Sequence, residues 1–151
     1  MIAFARECLC DVIQEVDALL KLHYEELTLH KERIKLDPDW PMYTALEHME
    51  RLVLFTARDD GRLVGYAAFF VQPHIHYRKT IVAQNDVLFL HPEHRKGTTG
   101  IRFIRFSEQC LQGLKVDKII WHVKFSLDLR PILHRLGYAD EEVMVGKMLK
   151  G

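Results

Sequence analysis

The sequence predicts a mixed α/β domain: a mostly antiparallel sheet with a parallel splay at its centre, flanked by about four helices. Three observations predict it. Two helical stretches come before the first long β-rich runs, and those runs are joined by hairpin signals. From residue 81 onward the order changes to strand, glycine-containing loop, helix, strand, helix, strand. A strand–helix–strand unit makes its two strands parallel, whereas tight turns make theirs antiparallel.

Ile2 to Cys8 makes a short opening strand. From Asp11, Ile13, Val16, Leu20, Tyr24 and Leu27 recur at helical spacing with acids and lysines between them, so the spacing predicts an amphipathic helix. Asp37-Pro38-Asp39 breaks it. Trp40 to Met49 reads as a second, shorter helix, with Asp39 as its cap and Pro41 in its first turn. Val53 to Arg58 and Arg62 to Val71 form a hairpin about Asp59-Asp60-Gly61, where glycine supplies the positive φ of a tight turn. Gln72 to Lys79, with Pro73 and two histidines, is an exposed connection, and Ile81 to Leu90 is the next strand. Pro92 ends it, Gly97 and Gly100 punctuate a loop, and Ile101 to Leu114 is a helix. Lys118 to Val123 is a strand, Leu127 to Leu136 a helix stopped by Gly137, and Glu142 to Leu149 a last strand.

Composition bounds the rest. A chain of 151 residues that is 48% hydrophobic supports one core, so residues 1–151 are read as a single domain. Lys plus Arg and Asp plus Glu number 21 each, which leaves no global charge to draw nucleic acid or an anionic membrane. Met1 to Cys10 lacks the pattern of a signal peptide and no segment has the apolar length of a membrane span, so a soluble, cytoplasmic protein is expected. Cys8, Cys10 and Cys110 are expected to be reduced, and Cys8-x-Cys10 lacks the spacing and second pair of a zinc site, so no metal is expected.

The segment that carries chemistry runs from His91 to Gly100, HPEHRKGTTG, between a strand and a helix. A glycine-containing turn there aims several backbone N–H groups at one anion, and the helix dipole adds about half a positive charge. Arg95 and Lys96 add mobile cations, which suits a pyrophosphate. Sheets of this kind place ligands at the carboxyl ends of strands where the topology breaks, which is where this loop stands.

Leu88 to Gly100 resembles motif A of the GNAT (Gcn5-related N-acetyltransferase) family, a strand followed by Arg/Gln-x-x-Gly-x-Gly/Ala. Arg95 and Gly100 match its first and last positions, Thr98 replaces the central glycine, and Gly97 stands one residue early. The order of elements is similar over nearly the whole chain. The resemblance implies a GNAT-like fold and an N-acetyltransferase that takes acetyl-CoA as acyl donor and a primary amine as acceptor. It implies that the pantetheine arm pairs with Val87 to Leu90, with the Leu88 N–H as oxyanion donor and Phe89 and Leu90 beside the arm. Arg95, Lys96, Gly97, Thr98, Thr99 and Gly100 would hold the pyrophosphate. Asp86, two residues before Leu88 on the same strand face, is the candidate base, because Gln84 occupies the position of the glutamate in the histone-acetylating branch; the other reading of Asp86 is a strand-face carboxylate that is paired with a basic neighbour or solvated. Leu133 stands where many members place an acidic tyrosine, which leaves His134, Tyr138 or water as the acid. Ser126 stands where an asparagine often contacts the coenzyme.

An alternative is a non-catalytic acyl-CoA-binding or regulatory module of the same fold; another acyl donor is a third reading. The acceptor side is expected in the first two helices and the Gln72 to Lys79 loop, where Glu25, Glu26, Asp37 and Asp39 could attract a cationic amine. The motif names no acceptor, and a homodimer is compatible with it. His74-x-His76-Tyr77 reads as a polar loop, and Arg102, Phe103, Arg105 and Phe106 read as alternating solvent and core positions rather than a nucleic-acid surface.

Overall fold

Five strands pair in the order in which the chain makes them: β1 (Ile2–Arg6), β2 (Leu52–Asp59), β3 (Arg62–Pro73), β4 (Ile81–Leu90) and β5 (Lys118–Ile120). The first four are antiparallel neighbours, and β4 and β5 are parallel, joined by a crossover through α3 (Thr99–Gly113). Helices α1 (Leu9–Leu27) and α2 (Trp40–His48) precede β2, and α4 (Arg130–Arg135) follows β5. The computed structural model describes residues 1–27 and 30–150; the side chain of Leu27, expected on the apolar stripe of α1, lies outside the described part.

Each face of the sheet takes its own helices. Leu9, Val12, Val16 and Leu19 of α1, with Trp40, Tyr43 and Leu46 of α2, pack on Leu52, Leu54, Tyr66, Val87 and Phe89. Phe103 and Leu111 of α3 pack on Val53, Phe55, Ala67, Phe69 and Leu90 on the opposite face. Strands covered on both sides need apolar residues at every position, which explains the near-continuous runs in β2 and β3. Gly65 is glycine because β3 runs against β4 there: a Cβ would stand 2.8 Å from both Leu90 Cδ1 and the Phe89 carbonyl oxygen.

The local signals act as expected at the hairpin and at α2. Asp60 and Gly61 both have positive φ, 46° and 86°, and the Asp39 carboxylate accepts from the Met42 N–H at 2.9 Å. Elsewhere tertiary contacts move the boundaries. α1 starts at Leu9, before Asp11, because the Glu47 carboxylate of α2 accepts the Leu9 N–H at 2.9 Å and caps it from another element. The helix expected over Leu127–Leu136 is a 3₁₀ turn, Phe125–Leu127, followed by α4, because Asp128 accepts the Arg130 N–H at 3.0 Å and restarts the chain.

The expected last strand, Glu142–Leu149, does not form: among the described residues 139–150 carry no ladder. The segment is rich in strand-forming residues, but a strand also needs an edge. This segment instead lines the cleft described below, leaving Val143, Met144 and Val145 more than 70% exposed. Near its end the Lys150 carbonyl accepts from Arg33 at 3.5 Å. No helix among the described residues is long and apolar enough to cross a membrane.

Candidate active site

The sheet opens at one residue pair. Val82, Ala83 and Gln84 pair with Lys118, Ile119 and Ile120, and the ladder then stops. The Asn85 side chain takes its place: Oδ1 accepts the His122 N–H at 2.5 Å and Nδ2 donates to the His122 carbonyl at 3.4 Å. An amide side chain can satisfy both backbone groups only by holding the two strands further apart than a ladder does. β5 therefore ends at Ile120 rather than at the expected Val123, and β4 runs on from Asn85 to Leu90 bonded to β3 alone. Between them lies a cleft of about 1430 Å³, walled by α1, α2, the sheet, Trp121–Leu127 and the C-terminal segment.

The backbone direction along β4 follows from one bond. His91 donates its N–H to the Val64 carbonyl on β3 at 2.7 Å. Alternation then turns the N–H of Phe89 toward β3 and those of Leu88 and Leu90 toward the cleft. Phe89 is thus placed differently from the expectation that it lies along a bound arm. Its ring is buried, with His23 stacked on it at 5.3 Å and the Arg95 guanidinium 5.4 Å above it.

Asp86 is the extra residue of a β-bulge, since Ala68 opposes Val87 and Phe69 opposes Asn85. The bulge turns Asp86 away from the face of Leu88, where it was expected, and toward α2. There the Tyr43 hydroxyl donates to Asp86 Oδ2 at 2.6 Å. Asp86 is exposed to the cleft, whose walls remove part of its water and push its pKa up, while the Tyr43 bond opposes part of that rise. Burial and the Asp86 charge push the Tyr43 phenol up in turn. Tyr66 lines the same wall with a buried hydroxyl that has no hydrogen-bond partner among the described residues.

The loop after β4 makes a 3₁₀ turn at Pro92–His94, and Gly97 has a φ of 72°, which asks for glycine. The first turn of α3 has no side-chain cap: Thr98 holds the cap position without using its hydroxyl, which leaves the N–H groups of Thr99, Gly100 and Ile101 uncapped. A Cβ on Gly100 would meet nothing within 4 Å, so the protein's own packing does not require glycine there. Arg95 is more engaged than a mobile cation: its Nε donates to the Leu90 carbonyl at 2.6 Å and its Nη groups form a bidentate pair with Glu26 of α1, at 2.5 and 2.8 Å. Lys96 is exposed. His91, Glu93 and His94 bring ligand-type atoms within 4.8 Å of one another, but His94 Nε2 already lies 3.1 Å from Asp59.

Of the groups expected to serve as acid, two line the cleft but already have partners. Tyr138 donates to Glu108 on α3 at 3.0 Å, with its pKa pushed up to about 12 by burial and the Glu108 charge, and His134 lies 2.7 Å from Asp140. Leu133 is buried and Ser126 is exposed at the cleft rim. Gln84 is held against the His122 ring at 2.6 Å. Two of the acids expected to attract a cation have other work, Glu26 on Arg95 and Asp39 as a cap. His74, His76 and Tyr77 cluster at the exposed tip of the β3–β4 hairpin. Sequence reasoning missed Tyr43, Tyr66, His23 and Lys124. His23 had one available signal, as a polar ring on the core side of α1. The His23 imidazole is pulled down to about 4 by burial and by the nearby charges of Lys124 and Arg95, and burial lowers the Lys124 ammonium.

Comparison with known proteins agrees with this geometry. The profile of the acetyltransferase (GNAT) family matches residues 16–138. Solved structures with the same fold include a ribosomal-protein-alanine N-acetyltransferase from Brucella melitensis biovar Abortus 2308, with 19% identity, a TM-score of 0.72 and full coverage of both chains. An aminoglycoside acetyltransferase from an uncultured soil metagenomic sample has 14% identity and a TM-score of 0.76 over 99% of each chain. A predicted acetyltransferase with acetyl-CoA from Clostridium acetobutylicum has 13% identity and a TM-score of 0.72, over 99% of this chain and 97% of that one. No curated protein matches the sequence. The chain belongs to the acetyltransferase (GNAT) family.

Proposed function

We propose that this protein is an N-acetyltransferase that moves an acetyl group from acetyl-CoA to a primary amine. One observation carries the reading: the cleft-facing N–H groups of Leu88 and Leu90 lead directly into the Gly97–Gly100 turn and the uncapped start of α3. An unpaired strand edge recognises an extended amide-bearing arm, and an uncapped helix start recognises phosphate, so the two together fit coenzyme A. The chemistry of the bound donor is that of an activated thioester.

The residues then divide the work. Lys96, Thr98, Thr99 and Gly100 face the pyrophosphate, while Arg95, through Glu26 and the Leu90 carbonyl, braces the loop against α1. The Leu88 N–H stabilises the charge that develops on the acetyl oxygen. Asp86, with its pKa raised toward the working range, takes the proton that the ammonium must lose, directly or through water. A C–N bond forms, the C–S bond breaks, the nitrogen sheds its second proton to solvent and the departing thiolate takes one from solvent; Tyr138 and His134 line the cleft but are engaged with Glu108 and Asp140.

Calorimetric titration with acetyl-CoA tests the reading. Wild type is expected to bind in the micromolar range, about −8 kcal/mol, and Gly100→Asp, which adds a carboxylate where the fold has room, to lose that binding. Arg95→Ala should lose it too, by freeing the loop from α1. An absence of heat with wild type overturns the proposal. Binding without transfer to any amine would instead favour a coenzyme-binding module.

A further inference from the structure

The chemistry of the acceptor is written on the wall that α1, α2 and the sheet face beneath them give to the cleft. That wall comprises Leu20 of α1, Trp40 and Tyr43 of α2, and Tyr66 of β3, with Asp86 at its base. The Trp40 and Tyr43 rings tilt together at 5.6 Å, and Tyr43 stacks on Phe70 at 6.3 Å, so the aromatic surface is packed from behind. Among the described residues, Asp86 is the one acid that α1, α2 and β2–β4 contribute to the cleft lining. The remaining acids of the lining lie on the far side. Of these, Asp117 accepts the Ile81 N–H at 2.7 Å, Asp140 faces His134 at 2.7 Å, Glu141 pairs with Lys118 at 2.9 Å, and Glu142 is exposed on the C-terminal segment.

From one carboxylate set among aromatic rings we infer that the acceptor is a monocationic primary amine carrying an aromatic or branched apolar group a short distance from the nitrogen. The inference rests on the acetyltransferase reading and narrows it. Asp86 pairs with the single ammonium, and the faces of Trp40 and Tyr43 attract the cation as it approaches and cover its apolar body. A second or third positive charge would be stripped of water on a wall that offers it no partner. The geometry thus selects against polyamines and amino sugars with several charges as firmly as it selects for the aromatic monoamine.

Coenzyme A release is measured with 2-phenylethylamine, spermidine and kanamycin, in wild type, Trp40→Ala and Trp40→Phe. The expected kcat/KM for 2-phenylethylamine is at least about tenfold above either polycation. Trp40→Ala should raise its KM about tenfold, and Trp40→Phe, which keeps a ring face, should restore most of that loss. A preference for spermidine or kanamycin overturns the inference, as does a KM for 2-phenylethylamine that ignores Trp40→Ala. Calorimetry separates the two levels of the argument. Protein that binds acetyl-CoA but prefers a polycation, or leaves 2-phenylethylamine untouched, overturns the acceptor class alone, whereas protein that does not bind acetyl-CoA overturns both.

Discussion

The two halves of β4 belong to one uninterrupted strand and lead different lives. Ile81 to Gln84 has β3 on one side and the start of β5 on the other. Asn85 to Leu90 keeps β3 and faces a cleft where the second neighbour would be. Strand propensity does not distinguish them, since both halves are rich in residues that suit a pleated surface. The difference comes from a side chain acting as backbone: Asn85 satisfies both polar groups of His122 and so ends the ladder without leaving them bare. An active-site cleft can thus be opened in a sheet by one amide at the right register.

Three experiments break or sharpen this comparison. The largest effect should come from His23, which covers Phe89 in the open half. Its folded pKa of about 4 lies below the ordinary value of 6.5, so between those values the unfolded chain binds more protons and stability falls as pH is lowered. Lowering the pH from 7 to 4.5, most of that window, costs roughly 2 to 3 kcal/mol. In denaturant melts at pH 7 and pH 4.5, His23→Phe should remove that share of the acid loss; an unchanged difference would contradict the buried, neutral imidazole.

Next is the boundary itself. Asn85→Ala leaves the His122 N–H and carbonyl without partners and should cost about 2 kcal/mol in urea unfolding. Hydrogen exchange should show faster opening in β5 and little change along β2. Uniform acceleration would mean that Asn85 does not control the opening. The smallest effect has the opposite sign. Tyr66→Phe removes a buried hydroxyl that has no partner among the described residues and should raise the stability of the ligand-free protein by about 1 kcal/mol, read as a higher urea midpoint at constant slope.

What could be read from the sequence was what short spacing decides. Asp59-Asp60-Gly61 encodes its hairpin because the turn needs positive φ at adjacent positions, and Asp39 encodes a cap because the N–H that its carboxylate accepts is three residues away. The glycine loop and the start of α3 were legible for the same reason. Contacts between distant residues were not. Nothing near Leu9 says that Glu47 will cap it, and nothing near Arg95 says that Glu26, 69 residues earlier, will hold it. The bulge at Asp86 inverts the face that alternation assigns, because one unpaired residue shifts the period of two. Glu142–Leu149 looked like a strand because residue preference reports extension and is silent about whether an edge is at hand.

The strand order also bears on how the molecule assembles. Each of β2, β3 and β4 lies beside its neighbour in both sequence and space, and their turns are short. Loop closure for this meander is inexpensive, so it is suited to form early, even while the C-terminal third is still leaving the ribosome. β5 can join only after α3 has been made and has crossed over the sheet. The cleft is therefore the last feature to exist. Substitutions at Asn85 or His122 should chiefly speed unfolding and leave the refolding rate almost untouched, so the junction of β5 with β4, rather than β4 itself, is kinetically the youngest part of the fold.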